Sequence, residues 1–202
     1  MLMNNYSSSR FEVGVDEAGR GSLAGPVTAA AVILPKNYKN ESLDDSKKLS
    51  NTKRLELKKI IEDEALDYAV YFVSSNTIDR INILNSTIKA MHGAINKLKI
   101  EPEFILVDGN KFLPYKNISH ECIIKGDSKY QNIAAASILA KTYRDIYMKK
   151  LHKKMPQYSW HENKGYGTSF HIDMINKFGK SEFHRKTFIL KKRSQIKLEF
   201  KK

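Results

Sequence analysis

Two adjacent carboxylates, Asp16 and Glu17, open the run Asp16-Glu17-Ala18-Gly19-Arg20-Gly21, directly after a short apolar run, residues 11–15, that reads as a buried strand. Like charges held close and partly desolvated disfavour ionisation. A hard divalent cation bound by their oxygens removes that cost. Gly19 and Gly21 let the backbone come close to a ligand, and Arg20 between them suits a phosphate. Metal-assisted hydrolysis of a phosphodiester is the chemistry this run suggests.

Two further acids share this kind of placement. Asp108 ends the apolar run Phe104-Ile105-Leu106-Val107 and precedes Gly109-Asn110, and Asp127 sits in Lys125-Gly126-Asp127-Ser128 at the mouth of an alanine-rich helix. Each lies at a strand end or a helix start, so one packed edge could gather all four. Four carboxylates are the ligand set expected for two Mg²⁺ or Mn²⁺ ions, which take oxygen ligands and complete their shells with water and substrate phosphate. Taken singly, Asp127 could be only a helix cap and Asp108 only a turn former. Asp145 competes as a fourth ligand, but its mid-helix place is better explained by a salt bridge to Lys141 or Lys149. The run Gly19 to Gly25 lacks the Lys-Ser/Thr ending of a P-loop and leads into a strand. Six histidines and one cysteine show no paired zinc spacing, with His171 and His184 isolated.

The elements that must hold these acids alternate in type. Strands are predicted at 12–16, 26–34 and 67–74, then at 104–107 and 120–124. Helices are predicted at about 51–66, at 76–81 behind an Asn76 cap, at about 85–98, from Asp127 or Ser128 to about 151, and at about 169–178. Ala134-Ala135-Ala136 and Ala140 give the long helix a smooth surface for close packing on a sheet. A strand meander followed by strand–helix alternation indicates a mixed α/β sheet with helices on its faces. Ligands of such sheets bind at the carboxyl ends of central strands.

The chain of 202 residues reads as one domain, residues 11–190, between a polar N-terminal tail (1–10) and a basic C-terminal tail (191–202). Its longest apolar run, residues 29–34, is far too short to span a bilayer, and residues 1–10 have no signal-peptide core. Lone Cys122 is most simply a small core residue in a reducing cytoplasm. A net charge of +13 suggests a polyanionic partner, nucleic acid before membrane, although abundant Lys, Asn and Ile also fit coding DNA rich in A and T.

At this point the motifs coincide with a family. The chain resembles bacterial ribonuclease HII, the type 2 ribonuclease H, in an ordered series of matches. These are Val13 to Gly21 with Ala24-Gly25-Pro26-Val27, Asp45-Ser46-Lys47-Lys48-Leu49, Val107-Asp108-Gly109, and Lys125-Gly126-Asp127-Ser128. Ala134 to Lys141, Asn163-Lys164-Gly165-Tyr166-Gly167-Thr168 and His184-Arg185 complete it. Departures lie at the C-terminal end, where Thr187 stands for the usual Ser and Ile189-Leu190 for a proline-containing ending. The Gly-Arg-Gly form, and the short stretch ahead of the first strand, favour this type over ribonuclease HIII.

The resemblance implies a ribonuclease H-like fold, a mixed five-stranded sheet flanked by helices with extra C-terminal helices. It implies cleavage of the RNA strand of RNA–DNA hybrids and at ribonucleotides embedded in duplex DNA, leaving 5′-phosphate and 3′-hydroxyl ends. It selects Asp127 beside Asp16, Glu17 and Asp108 as ligands of two Mn²⁺ or Mg²⁺ ions. Asp16 would bridge the two metal sites. Asp127 would serve the metal on the attacking-water side, Glu17 and Asp108 the one on the leaving-oxygen side. The Gly19-Arg20-Gly21 backbone would contact the 2′-hydroxyl, the group that distinguishes RNA from DNA. Tyr166 would pack on the next deoxyribose. Ser46 with Lys47 and Lys48, and also Lys141, Arg144 and Lys164, would grip backbone phosphates. A monomer acting in the cytoplasm is expected, and a replication-clamp contact is left open. Other nucleases of this fold, such as a junction resolvase or integrase core, share clustered carboxylates. A basic binding module without catalysis would gain nothing from buried acids facing a polyanion.

Overall fold

The computed structural model describes residues 2–43, 46 and 49–189; Asp45, Lys47, Lys48 and the tail 191–202 lie outside the described residues. Every residue of Val27-Thr28-Ala29-Ala30-Ala31-Val32-Ile33 is buried, as in a strand covered on both faces. This is β2 (Val27–Ile33), which pairs antiparallel with β1 (Glu12–Ala18) and β3 (Asp67–Val73). On its other side β1 pairs parallel with β4 (Phe104–Asp108), which pairs parallel with β5 (Ser119–Ile123). The result is the mixed five-stranded sheet expected from the sequence, in the order β3-β2-β1-β4-β5.

Side chains alternate across a strand, so β2 feeds two cores. Ala29, Ala31 and Ile33 pack with Ala90, Met91 and Ala94 of α2 (Ser75–Asn96) on one face. Ala30 and Val32 pack on the other with Leu57 and Ile61 of α1 (Asn51–Glu64) and with Ala134 to Ala136 of α3 (Gln131–Lys154). The small residues of α3 allow it to sit on the sheet as the sequence suggested. At Gly14 in β1 an added Cβ would lie 2.2 Å from the carbonyl carbon of Asn132, so no larger residue fits beneath the helix.

Two helix starts differ from expectation. The cap of α2 is Ser74, whose hydroxyl accepts from the Thr77 N–H at 3.3 Å, and not Asn76. Asn82 (φ 63°) breaks α2 internally and its side chain accepts from the Asn85 N–H at 3.0 Å, which separates the two helical segments read from the sequence. The long helix begins at Gln131 and not at Asp127 or Ser128: Lys125 takes a left-handed conformation (φ 56°) and Gly126–Ser128 form a separate 3₁₀ turn. Asp127 therefore does not cap α3.

Beyond α3, a 3₁₀ turn (Pro156–Tyr158) and the short α4 (Trp160–Asn163) were not foreseen, whereas α5 (Ser169–Phe178) matches its predicted bounds. Tyr158, Trp160 and Ile175 pack there with Ala24 and Met148 as a separate apolar cluster. No helix among the described residues is long and apolar enough to cross a membrane.

Candidate active site

Parallel pairing decides which strand ends meet. Val15 pairs with Val107 and Asp108 with Ile123, so β1, β4 and β5 all run out at one edge of the sheet. Asp16 and Asp108 come next after the paired valines. The chain leaving β5 turns back at once, and the Gly126 N–H donates to the Asp108 carboxylate at 2.7 Å. Asp127 follows, 4% exposed. Four acids spread over more than a hundred residues are thereby brought to one edge by three strand ends.

Asp16, Glu17 and Asp108 line a cleft of about 590 Å³ together with Gly19, Arg20, Gly21 and Tyr166. Asp127 is buried and directly follows Gly126, whose N–H holds the Asp108 carboxylate. Burial pushes the Asp16 carboxyl well above the usual carboxylate range, and the charges of Glu17 and Asp108 push it further. The Ser137 hydroxyl and the Glu17 N–H, which donates to Asp16 at 2.6 Å, act in the opposite sense. Arg20, with its side chain 53% exposed, pairs with Glu17 at 3.2 Å.

Among the described residues, no three His, Cys, Asp or Glu side chains are close enough together to hold a metal ion. The donor chemistry fits a hard dication all the same. It consists of carboxylate oxygens, and Asp16 carries a like-charge strain that a bound cation would relieve.

The remaining residues singled out in the sequence divide. Ser46 is buried in the cleft wall, its hydroxyl 2.9 Å from that of Ser137. Lys141 lines the cleft, pairs with Asp145 at 2.7 Å and lies 5.8 Å from the centre of the Tyr166 ring. Asp145 is thus a salt-bridge partner, as the sequence favoured, and Arg54 joins the pair at 3.7 Å. Lys164 donates to the His161 carbonyl, and its ammonium is pulled below the usual lysine range, first by burial, with Lys149, Lys141 and Arg54 among the nearby charges. Lys47 and Lys48 lie outside the described residues.

Arg144 corrects an expectation. It is fully buried and donates to the carbonyls of Pro26 (2.9 Å) and Ala24 (3.2 Å) and to the Ser22 hydroxyl (2.8 Å). Its guanidinium holds the glycine loop from within and offers nothing to a duplex phosphate. This packing explains Gly19, whose φ is +92° and where an added Cβ would sit 2.0 Å from Arg144 Nε. Gly19→Ala is expected to lose about 2–4 kcal/mol of stability, read as a lower urea midpoint.

His171 and His184 are a second correction, because distance in sequence hid a contact. Both are fully buried, with their Nε2 atoms 3.1 Å apart, and Trp160 Nε1–H donates to His171 Nε2 at 3.0 Å. His184 Nδ1 accepts from the Ser181 N–H at 2.9 Å, so its proton belongs on Nε2, facing His171. His171 Nδ1–H then donates to the Tyr166 carbonyl at 2.9 Å, fixing the loop that carries this tyrosine. Burial, then the neighbouring His171 and Lys180, push His184 from the ordinary 6.5 to about 4. A depressed histidine contributes stability that is complete above its unfolded value and lost as pH falls. Urea midpoints should therefore fall between about pH 6.5 and pH 4, and His184→Gln should flatten that part of the profile.

Sequence reasoning missed Ser137 and Arg54. Ser137 was signalled as the single hydroxyl closing an alanine run. Arg54, which donates to the Ser46 and Leu49 carbonyls at 3.0 and 2.5 Å, carried no signal on a polar helix face.

A family model described as Ribonuclease HII matches residues 13–191. A curated Ribonuclease HII from Christiangramia forsetii is 55% identical over 199 residues, covering 98% of this chain and 100% of that one. The ribonuclease H2 of Pyrococcus horikoshii superposes with a TM-score of 0.74 at 27% identity, over 88% of this chain and 93% of that one. The ribonuclease HII of Archaeoglobus fulgidus, solved in complex with PCNA, gives 0.74 at 25% identity, over 91% and 97%. Carboxylates at the ends of parallel strands, a glycine loop opposite them and these likenesses over nearly the whole length agree: the chain belongs to the ribonuclease HII family of endonucleolytic hydrolases.

Proposed function

We propose that this cleft hydrolyses the RNA strand of RNA–DNA hybrids and cuts at ribonucleotides embedded in duplex DNA. The observation that carries this reading is the placement of Asp16, Glu17 and Asp108 in one cleft with the Gly19–Gly21 loop and Tyr166. A phosphodiester lying along the carboxylates would present its sugar to the loop.

Asp16, Glu17, Asp108 and the adjoining Asp127 would hold the divalent cations, Mg²⁺ or Mn²⁺. When bound, such ions make water nucleophilic at neutral pH and stabilise charge on the leaving oxygen. The chain's own residues do the rest. The Ser137 hydroxyl and the Glu17 N–H orient the Asp16 carboxylate, and the Gly126 N–H orients that of Asp108. Arg20 is exposed and placed to exchange its Glu17 contact for a phosphate. Lys141 and Lys164 supply positive charge around Tyr166 without reading sequence. Tyr166 presents a ring whose shape would accept a deoxyribose on the neighbouring nucleotide. Water would attack the phosphorus with no protein nucleophile, the P–O3′ bond would break and the 3′-oxygen would leave, so the products would carry 5′-phosphate and 3′-hydroxyl ends.

The test is cleavage of duplex DNA carrying one ribonucleotide, with Mg²⁺, with Mn²⁺ and with chelator. Incision at the ribonucleotide with either ion, and none with chelator or on all-DNA duplex, is expected. Equal incision of an all-DNA duplex would point to a resolvase-like nuclease and overturn the assignment. Duplex binding without incision under any condition would favour a non-catalytic module.

A further inference from the structure

Residues 19–26 have no regular secondary structure, yet two buried guanidiniums hold this loop. Arg144 takes its later part. Arg185, from beyond α5, is fully buried and takes both ends: it donates to the carbonyls of Gly19 (2.6 Å), Arg20 (2.7 Å) and Gly25 (3.1 Å). Among the described residues neither arginine is in a salt bridge. A buried cation without a carboxylate is costly unless hydrogen bonds satisfy it. For Arg185 three carbonyls of one loop supply those bonds to all of its guanidinium nitrogens, which makes it a device for shaping that loop.

The backbone around Arg185 is itself pinned. Its N–H donates to the Leu23 carbonyl at 2.8 Å, and His184 forms a bridge with Ala24. Asp79 of α2 accepts from the Lys186 and Thr187 N–H groups at 2.8 and 3.0 Å. Leu23 and Ala24 in turn donate to the Gly165 carbonyl, next to Tyr166. The glycine loop, the tyrosine loop and residues 184–187 thus form one hydrogen-bonded block.

In a trans peptide the carbonyl and the following N–H point in opposite directions. The Gly19 carbonyl shares its peptide with the Arg20 N–H, and the Arg20 carbonyl with the Gly21 N–H. Arg185 draws both carbonyls inward, so both N–H groups turn outward. Neither N–H has an acceptor among the described residues. We propose that Arg185 is a positioning residue for ribonucleotide recognition, holding the Gly19 and Arg20 carbonyls from below so that the Arg20 and Gly21 N–H groups face the substrate as a fixed pair of donors. This rests on the reading of the glycine loop as the part that meets the ribose, and it adds what aims that loop.

The experiment compares Arg185→Lys, Gly21→Ala and the full-length wild type on duplex DNA with one ribonucleotide, with circular dichroism confirming folded protein at the assay temperature. Lysine keeps the charge but replaces the planar fork, whose separate nitrogens reach Gly19, Arg20 and Gly25, with a single point donor. Misaimed donors should lower kcat about a hundredfold and leave KM within about threefold, because phosphate contacts are untouched. A folded Arg185→Lys enzyme with wild-type kcat, or one losing only KM, overturns the proposal. If Gly21→Ala is impaired and Arg185→Lys is not, the reading of the loop stands and the role of Arg185 alone falls. If Gly21→Ala cleaves like wild type, the reading of the loop itself fails. Should Arg185→Lys not fold, amide exchange on the wild type decides: the Arg20 and Gly21 amides should exchange freely alone and gain protection with the ribonucleotide duplex in chelator, but not with all-DNA duplex. Protection already present in the free protein, or none gained, overturns the proposal.

Discussion

Asp16→Asn is expected to lower cleavage of a duplex with one ribonucleotide by at least about a thousandfold, and to raise the thermal midpoint of the protein in chelator. Both effects follow from one geometry. Asp16 lies 5% exposed at the end of β1, and burial with the charges of Glu17 and Asp108 holds its carboxyl well above the usual range. A carboxyl raised by folding binds its proton more readily in the native state, so stability declines as pH rises past the unfolded value. At neutral pH the ionised side chain opposes folding, and asparagine removes that opposition. It also keeps an oxygen to accept the Glu17 N–H, so the strand end retains its hydrogen bond. The advantage should vanish below about pH 4, where the carboxyl is protonated in both states. It should reverse at saturating Mg²⁺ or Mn²⁺, because only the wild type gains full stability from ion binding. Thermal melts at pH 7 and pH 3.5, with and without the ion, measure all three arms. A variant less stable than wild type in chelator would assign Asp16 to the architecture, with any loss of activity following from that.

Gly21→Ala is expected to lower kcat by about a hundredfold and leave stability unchanged or slightly higher. Nothing lies within 4 Å of the position an added Cβ would take, and the residue has no left-handed backbone. The protein's own packing therefore gives no reason for a glycine there. The reason must lie on the other side of the surface, where the loop faces the cleft and a methyl group would hold a substrate off. Gly19 is the contrasting case in the same loop, because its replacement meets Arg144 and strains the backbone. Two glycines one residue apart should thus separate by assay: the first lowers the urea midpoint, the second lowers turnover. A Gly21→Ala enzyme with wild-type kcat would remove the steric role.

The acids gathered at the sheet edge were legible because each carried a local mark. Asp16 and Asp108 close apolar strands, and an ionisable residue at such a place has a cost that calls for a reason. The strands themselves were legible because they are short, nearly continuous apolar or β-branched runs, as strands covered on both faces require. The roles of the basic residues were less legible. Arg144 and Lys141 lie three residues apart on one helix and look alike in sequence, yet one is fully buried under the glycine loop and the other lines the cleft. Which side of α3 meets the loop depends on packing against β1, which no local pattern encodes. His171 and His184 stood apart in the sequence for the same reason: their contact is made by α5 and the Ser181–His184 turn folding onto Trp160.

Residue types, apolar runs and the order of strands and helices in the chain alone determined the mixed sheet, the acids at its edge and the glycine loop beside them, since apolar content and the cost of buried charge are local properties. Only the tertiary structure decided that Arg144 and Arg185 serve the loop from beneath and that the tyrosine loop is tied to a histidine pair. Those facts depend on side-chain direction and, for the two arginines, on contacts between residues more than a hundred positions apart, where a rotation of one helix about its axis exchanges a buried cation for an exposed one.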